Sequence, residues 1–271
     1  MSAHASAPWG AAVDVAAGAA LSTQGLTIAA GARVLVQELS LAVQPGEFLA
    51  VLGRNGCGKS LTLHALAGLS APRAGRVLLH GRDLRTLSRR DVARTLGLLP
   101  QDREECLALT ALESVLIGRH PHLQFWQREG AQDLAIAHAA LARFGLADCA
   151  ARLITTLSGG EQRRAAMAAL LAQAPQIYLL DEPSNHLDPH HQIEILTLFR
   201  GLCAAGASII ATLHDATLAE RFADRALLLH GDGRHRLGPA AEVLSPESLS
   251  ALYLTPMQAF GTAPRRAFIP A

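Results

Sequence analysis

GRNGCGKS, Gly53 to Ser60, sits between the apolar run EFLAVLG and the stretch KSLTLHALAGL, whose apolar spacing is helical. Gly53, Gly58, Lys59 and Ser60 complete the phosphate-loop pattern G-x-x-x-x-G-K-[ST]. In such a loop the glycines let the backbone turn its N–H groups inward, with Arg54, Asn55 and Gly56 forming the bend. The lysine reaches the β- and γ-phosphates, and the serine hydroxyl serves Mg²⁺. The helix that starts there adds the positive end of its dipole. An ordinary glycine turn is the plain alternative; a strand on one side and an amphipathic helix on the other argue against it. Leu61 stands where Ser or Thr is common, but its backbone N–H is retained. Periodicity assigns the buried side of the helix to Leu61, His64, Ala65 and Leu69. Cys57 reads as a small residue tolerated in a tight turn, with the adjoining helix N-terminus expected to lower its pKa.

Outward from this loop, QGLTIAA and LSLAV read as strands, and the turn QPGE (Gln44 to Glu47) precedes EFLAVLG. RVLLH and TLGLLPQ are further strands. Between Asp102 and Thr156 helical stretches such as LALTALESVLIGR and GAQDLAIAHAALARFGL take over. Alternation returns with QIYLLDEP, PHHQIEILTLFRGLCAAG, SIIATLHD, TLAERFA and RALLLHGDG. Continuous apolar strands between helices predict a mostly parallel sheet covered on both faces. The run IYLLDEP ends in Asp181 and Glu182. A strand-end Asp can hold the magnesium shell, and an adjacent carboxylate can orient and polarise water for attack on a γ-phosphate. An exposed Asp-Glu pair at a strand end is common, so the phosphate loop is what tips this reading towards catalysis.

In chain order, GRNGCGKS, Gln101 in LLPQD, LSGGEQ, LLDEPSNHLD and His214 in ATLHD together resemble the nucleotide-binding subunit of an ATP-binding cassette (ABC) transporter. The likeness covers roughly Leu21 to Gly238. It implies an α/β fold: a P-loop NTPase (RecA-like) core with a mostly parallel sheet, an antiparallel β region near the N-terminus and a helical insert. The expected boundaries are an ATPase domain over 21–238, with core 21–101 and 160–238 and a helical subdomain over about 102–159. A flexible tail is expected over 1–20 and an extension over 239–271, the latter with one helix, SPESLSALY.

Roles follow from the resemblance. Gln101 would touch Mg²⁺ or the attacking water, His214 would bond the γ-phosphate and Glu182, and Glu182 would be the general base. Two copies would pack head to tail. Ser158, Gly159 and Gly160 would then cap the ATP held by Lys59 of the other copy, and Asp188 would reach across to it. The implied cofactors are ATP and Mg²⁺, the latter held by Ser60, Gln101 and Asp181. Within the family, VLIGRHPH (Val115 to His122) followed by DLAIAHAALARFGL resembles bacterial importers for iron-siderophores, haem and cobalamin. Such a subunit would lie on the cytoplasmic face of the bacterial inner membrane. It would contact permease subunits around Arg119–His122 and serve a substrate-binding protein indirectly. Another class of reading is a soluble ABC-type ATPase in a cytosolic assembly complex of the cluster-scaffold type.

One departure concerns the base. Near Ala30, in LTIAAGARV, an adenine-stacking aromatic is expected, yet none lies between Trp9 and Phe48; Arg33 or Val34 would be poor substitutes. Composition narrows the classes further. A chain of 271 residues, 50% hydrophobic, can bury a sizeable core. Its net charge of +1, with basic residues scattered, argues against nucleic acid as a partner. Cys57, Cys106, Cys149 and Cys203 lack the close spacing of zinc or redox motifs and read as reduced thiols. His190 and His191 read as exposed helix-start residues. The N-terminal MSAHASAPWGAAVDVAAGAA has no positive start and contains Asp14, so no signal peptide is expected.

Overall fold

The computed structural model describes residues 18–101, 108–124, 126–185, 187–263 and 265–271. Most of the tail expected over 1–20, together with Trp9, Cys106 and the start of the insert at 102–107, therefore lies outside the described residues.

The chain opens with β1 (Leu21–Ala30), β2 (Arg33–Leu39) and β3 (Ala42–Val43), then enters the central sheet with β4 (Phe48–Gly53). After α1 (Lys59–Leu66) come β5 (Ala74–Leu79), β6 (Arg82–Asp83), α2 (Arg89–Thr95) and β7 (Leu96–Leu99). The insert holds α3 (Ala111–Leu116) and α4 (Ala131–Arg143), and α5 (Gly159–Gln173) leads back into the core. The core resumes with β8 (Ile177–Leu180), α6 (Pro189–Ala204), β9 (Ser208–Thr212), α7 (Ala216–Phe222), β10 (Arg225–Leu229) and β11 (His235–Pro239). The last part comprises α8 (Ala240–Val243), α9 (Pro246–Tyr253), β12 (Met257–Phe260) and β13 (Ala267–Pro270).

Two sheets result. The central one runs β11-β10-β4-β9-β8-β7, parallel throughout except for β11. Beside it, an antiparallel sheet runs β2-β1-β5-β6, with β3 also paired to β1. This is the α/β architecture expected. Every residue of β4, β8 and β9 is buried, because both faces of the central sheet are covered. The side-chain alternation of β4 divides the core. Phe48, Ala50 and Leu52 pack with the insert, α5 and α6, whereas Leu49 and Val51 pack with Leu63, Leu66 and the antiparallel sheet.

Four local readings need correction. Helix α1 buries Thr62, Leu63, Ala65 and Leu66, while Leu61 and Leu69 are 38% and 63% exposed. The expected face was out of phase because a Leu- and Ala-rich stretch fits a 3.6-residue period in more than one phase. The strand β2 was not foreseen; it pairs with β1 through an irregular register and contains Glu38 at a positive φ of 51°. In LALTALESVLIGR only Ala111–Leu116 is α-helical, started by a Thr110–Glu113 capping box. The chain then tightens into a 3₁₀ turn over Ile117–His122, where Pro121 lies. Finally, the C-terminal extension holds the expected helix α9 but also α8 and an antiparallel hairpin, β12 with β13.

Candidate active site

In the central sheet β4, β7, β8 and β9 all point the same way, so the segments that follow them emerge on one edge, where parallel α/β sheets place their ligands. That edge carries the Gly53 loop, Gln101, Asp181 with Glu182, and His214.

The loop is braced from within. A Cβ on Gly53 would strike Cys57 Sγ and come within 2.6 Å of the Leu229 carbonyl, so β4 can continue into the loop only with glycine. Gly58 turns at φ +104° and releases the chain into α1. Lys59 is buried, and its Nζ donates to the carbonyls of Gly53 at 2.9 Å and Arg54 at 3.4 Å, which holds the ammonium across the loop. Arg54, Asn55 and Gly56 are exposed, and the Ser60 side chain is half-buried at the start of α1. Cys57 is buried, and burial pushes its thiol above the ordinary value despite the nearby Lys59 charge. The lowered pKa expected there is thus overturned, because desolvation outweighs the helix end and the ammonium.

Asp181 and Glu182 follow β8 directly. Leu180 lies opposite Ala211 in the β8–β9 register, and the next pair of positions brings Asp181 to Thr212. Thr212 Oγ1 accepts from the Glu182 amide at 2.7 Å and donates to Asp181 Oδ1 at 2.6 Å. Asp181 Oδ2 is buried without a hydrogen-bond partner, an expensive state for a carboxylate oxygen unless a cation or polar ligand meets it. Glu182 turns at φ +49°, an uncommon conformation for a residue with a side chain. Its carboxylate is buried: Oε1 pairs with His214 Nε2 at 2.5 Å and Oε2 accepts from Asn185 Nδ2. Gln101, just beyond β7, is exposed.

Arg163 ties this edge together and was missed by the sequence reading. Its Nη1 donates to the carbonyls of Pro100 (2.5 Å) and Gln101 (3.2 Å), and its Nη2 to those of Asp181 (2.5 Å) and Glu182 (3.1 Å). One buried guanidinium on α5 therefore fixes the ends of both β7 and β8. In EQRR no sequence signal separates it from the neighbouring Arg164. Thr212 and Asn185 were missed for the same reason.

The second glycine loop lies at the N-terminus of α5. Ser158 caps the helix, accepting from the Glu161 amide at 3.3 Å, and Glu161 Oε2 accepts from the Ser158 amide at 2.7 Å. A Cβ on Gly159 or Gly160 would meet nothing within 4 Å. Asp188 caps α6 in the same way, through His191. None of the hydrogen bonds of Ser158 or Asp188 reaches the Gly53 loop. The structure thus gathers Gly53–Ser60, Gln101, Asp181, Glu182 and His214 on one edge and leaves Ser158–Gly160 and Asp188 facing outward.

Ala30 is exposed at the β1–β2 turn. Arg33, across that turn, donates through Nη2 to the Gly231 carbonyl at 2.8 Å. A Cβ on Gly231 would stand 2.9 Å from Cys57 Cα, so Arg33 is anchored against the phosphate loop. Over Arg119–His122, where a partner contact is expected, two of the side chains are engaged within the chain. Arg119 bonds Asp133 Oδ1 at 3.0 Å and the Ala172 carbonyl at 2.7 Å, and His122 Nε2 sits 2.8 Å from the Gln173 carbonyl. These side chains hold the insert to α5, and His120 is the exposed one of the three. His190 and His191 lie at the start of α6, 78% and 37% exposed at the side chain.

A phosphate loop ending in Lys59-Ser60, a strand-end Asp181 with a free buried oxygen and a Glu182–His214 pair define a P-loop NTPase. The chain belongs to the ABC transporter family, whose profile matches residues 36–185. A hemin import ATP-binding protein of Pseudomonas entomophila is 40% identical over 238 residues, 86% of this chain and 92% of that protein. A cobalamin import ATP-binding protein of Halobacterium salinarum is 39% identical over 236 residues, covering 86% of this chain and 58% of that protein. The chain therefore spans little more than half of that relative's length. Among solved structures, a metal-chelate type ABC transporter in an inward-facing conformation superposes with a TM-score of 0.81 at 29% identity, over 94% of this chain and 98% of that one. A dimeric ATP-binding cassette in a post-hydrolysis state, bound to ADP and Pi, superposes with a TM-score of 0.72 at 26% identity, over 81% and 98%. Among the described residues, no helix is long and apolar enough to cross a membrane.

Proposed function

We propose that this chain is the ATP-hydrolysing, energy-coupling subunit of a bacterial importer, with an iron-siderophore, haem or cobalamin as cargo. The observation that carries the hydrolytic part is the buried Glu182 carboxylate, held by His214 at 2.5 Å on the sheet edge that bears the phosphate loop. The relatives' printed names favour import over a cytosolic assembly complex.

In this reading the backbone N–H groups of Arg54–Leu61 and the Lys59 ammonium orient the β- and γ-phosphates. Mg²⁺ fits the donor set: Ser60 Oγ and Gln101 Oε1 are neutral oxygens, and Asp181 Oδ2 is a buried carboxylate oxygen lacking a protein partner. When bound, the ion would neutralise charge developing on the phosphates. Glu182 orients a water and takes its proton as the new P–O bond forms and the bond to the leaving β-phosphate oxygen breaks. The leaving ADP carries the electron pair of that broken bond. His214 keeps the Glu182 carboxylate aimed and contacts the γ-phosphate. Each carboxylate oxygen has two lone pairs, so bonding to His214 and Asn185 leaves room for the water.

Ser158, Gly159 and Gly160 close over the ATP held by Lys59 of a second copy, and Asp188 reaches across the same junction. The dimeric post-hydrolysis relative supports this arrangement. Closure of the pair passes to permease subunits on the cytoplasmic face of the membrane, with His120 on the contact surface. Domain boundaries follow the sequence reading: an ATPase domain over 21–238 with its helical subdomain over about 102–159, flanked by the tail 1–20 and the extension 239–271.

Glu182→Gln tests the hydrolytic assignment. Loss of a general base costs about 10²–10⁴-fold in rate. The variant is expected to bind ATP, to fail to turn it over and to accumulate as a closed dimer in gel filtration. Near-normal hydrolysis would remove Glu182 from the role. Co-purification with a polytopic membrane protein tests the importer assignment, and recovery of soluble partners alone would overturn it.

A further inference from the structure

The C-terminal extension holds the segment running from His214 through α7 at three points. Tyr253 Oη donates to the His214 carbonyl at 3.2 Å. The Phe268 amide donates to Thr217 Oγ1 at 3.1 Å. Arg266 Nε pairs with the buried Glu220 carboxylate at 2.7 Å. These targets lie in succession along the strand-to-helix junction and α7.

His214 needs such support. Strand β9 ends at Thr212, and the Leu213 amide still bonds the Val51 carbonyl at 3.0 Å. Helix α7 starts at Ala216, with Asp215 as its cap. His214 therefore stands in a short bend outside both elements. Its side chain is 39% exposed, too open for packing to fix the rotamer. What sets the reach of the ring towards Glu182 is the position of its backbone.

We propose that Tyr253 is a positioning residue for ATP hydrolysis: by holding the His214 carbonyl, its hydroxyl fixes the backbone from which the imidazole meets Glu182. The tyrosine is a firm anchor. It is the last residue of α9, whose Leu249 and Leu252 are buried in the core. Beyond it the hairpin is tied back to α9 by the Met257 amide, which donates to Ser250 Oγ at 2.8 Å. Burial pushes the Tyr253 phenol up to about 12, so the hydroxyl stays protonated and donates throughout the neutral range. In this way the extension, which follows the last strand of the central sheet, becomes part of the catalytic apparatus through the backbone of His214.

The inference rests on the roles proposed for Glu182 and His214, and its test separates the two. Steady-state ATP hydrolysis, binding of a fluorescent ATP analogue and thermal unfolding are measured on the full chain as wild type, Tyr253→Phe, His214→Ala and the double variant. A misplacement of about 1 Å can cost about 10²-fold in rate, so loss of this single tether is expected to lower kcat about tenfold. KM, analogue affinity and melting midpoint should stay at wild-type values. In the His214→Ala background, adding Tyr253→Phe should leave the residual rate unchanged, because the tether then has nothing to position. A kcat for Tyr253→Phe within twofold of wild type, beside an inactive His214→Ala, overturns the positioning role alone. A rate loss matched by a lower melting midpoint or weaker binding overturns it too, since the tyrosine would then be structural. Wild-type turnover by His214→Ala would overturn the reading of the site, and this inference with it.

Discussion

The two glycine-bearing loops of this chain look alike in sequence and are opposites in structure. In Gly53–Ser60 a methyl group cannot be added to the first glycine without striking Cys57 and the Leu229 carbonyl, and the lysine is folded across the loop carbonyls. In Ser158–Gly160 the glycines face open space, and the serine does no more within the chain than cap its own helix. The first loop is specified by its own protein. Among the described residues, none lies close enough to Gly159 or Gly160 to require glycine there, so the proposed approach of a second copy is not blocked by a side chain. Glycine is thus sterically required at Gly53 and not at Gly159 or Gly160, and the proposed docking of a second copy gives the second pair a use that the fold of the chain does not.

The largest effect expected to break or sustain this contrast comes from Ser158→Asp. Aspartate is as good a helix cap as serine, so the start of α5 should be retained. Its carboxylate would nevertheless stand where a phosphate of the second copy is proposed to dock, opposing like charge. Hydrolysis is expected to fall about 10²-fold or more, the scale of losing one oxyanion-stabilising donor. Binding of ATP to the isolated chain should be unaffected. Normal hydrolysis would mean that this loop is a cap and nothing else.

A smaller but cleaner contrast compares Gly53→Ala with Gly159→Ala by thermal unfolding. Overpacking of a tight site costs about 1–3 kcal/mol. For a protein of this size each kcal/mol corresponds to about 2–4 °C, so Gly53→Ala should melt several degrees early. Gly159→Ala adds a methyl at the first turn of α5 in open space, and its melting midpoint should match the wild type. If the two variants melted alike, the internal distinction between the loops would be lost.

How far these differences were legible in the sequence depends on where the information lies. GRNGCGKS and IYLLDEP were readable because the chemistry fixes residue types at fixed spacing and the flanking apolar runs fix the sheet. The joining of Asp181, Glu182 and His214 was expected only through the family resemblance, since it depends on β8 and β9 becoming neighbours. Arg163 shows the opposite limit. Its importance lies in the carbonyls of Pro100, Gln101, Asp181 and Glu182, which converge only after folding, and an arginine beside Arg164 carries no mark of this. The phase of α1 was misread because Leu and Ala occupy both candidate faces. The pKa of Cys57 was misjudged because the helix end is visible in sequence and the desolvation is not. The role proposed for the C-terminal extension was invisible because Tyr253 and Arg266 find their partners, in the bend at His214 and in α7, far back along the chain.

The smallest prediction separates the surface of the second loop from the stability of the helix behind it. Helix α5 ends at Gln173 and is capped by Ala174, which is exposed and held at φ +48° in the left-handed region. Glycine is the residue suited to that position, because a Cβ there crowds the following carbonyl. The lost strain is partly offset by the greater freedom of glycine in the unfolded chain. Ala174→Gly is therefore expected to stabilise by about 0.5 kcal/mol, raising the melting midpoint by about 1–2 °C. It should leave hydrolysis unchanged, because Ser158 and the glycines at the other end of α5 are untouched. If instead hydrolysis tracked this gain in helix stability, losses in the Ser158 variant would have to be ascribed to the helix, and the second loop would lose its claim to a site of its own.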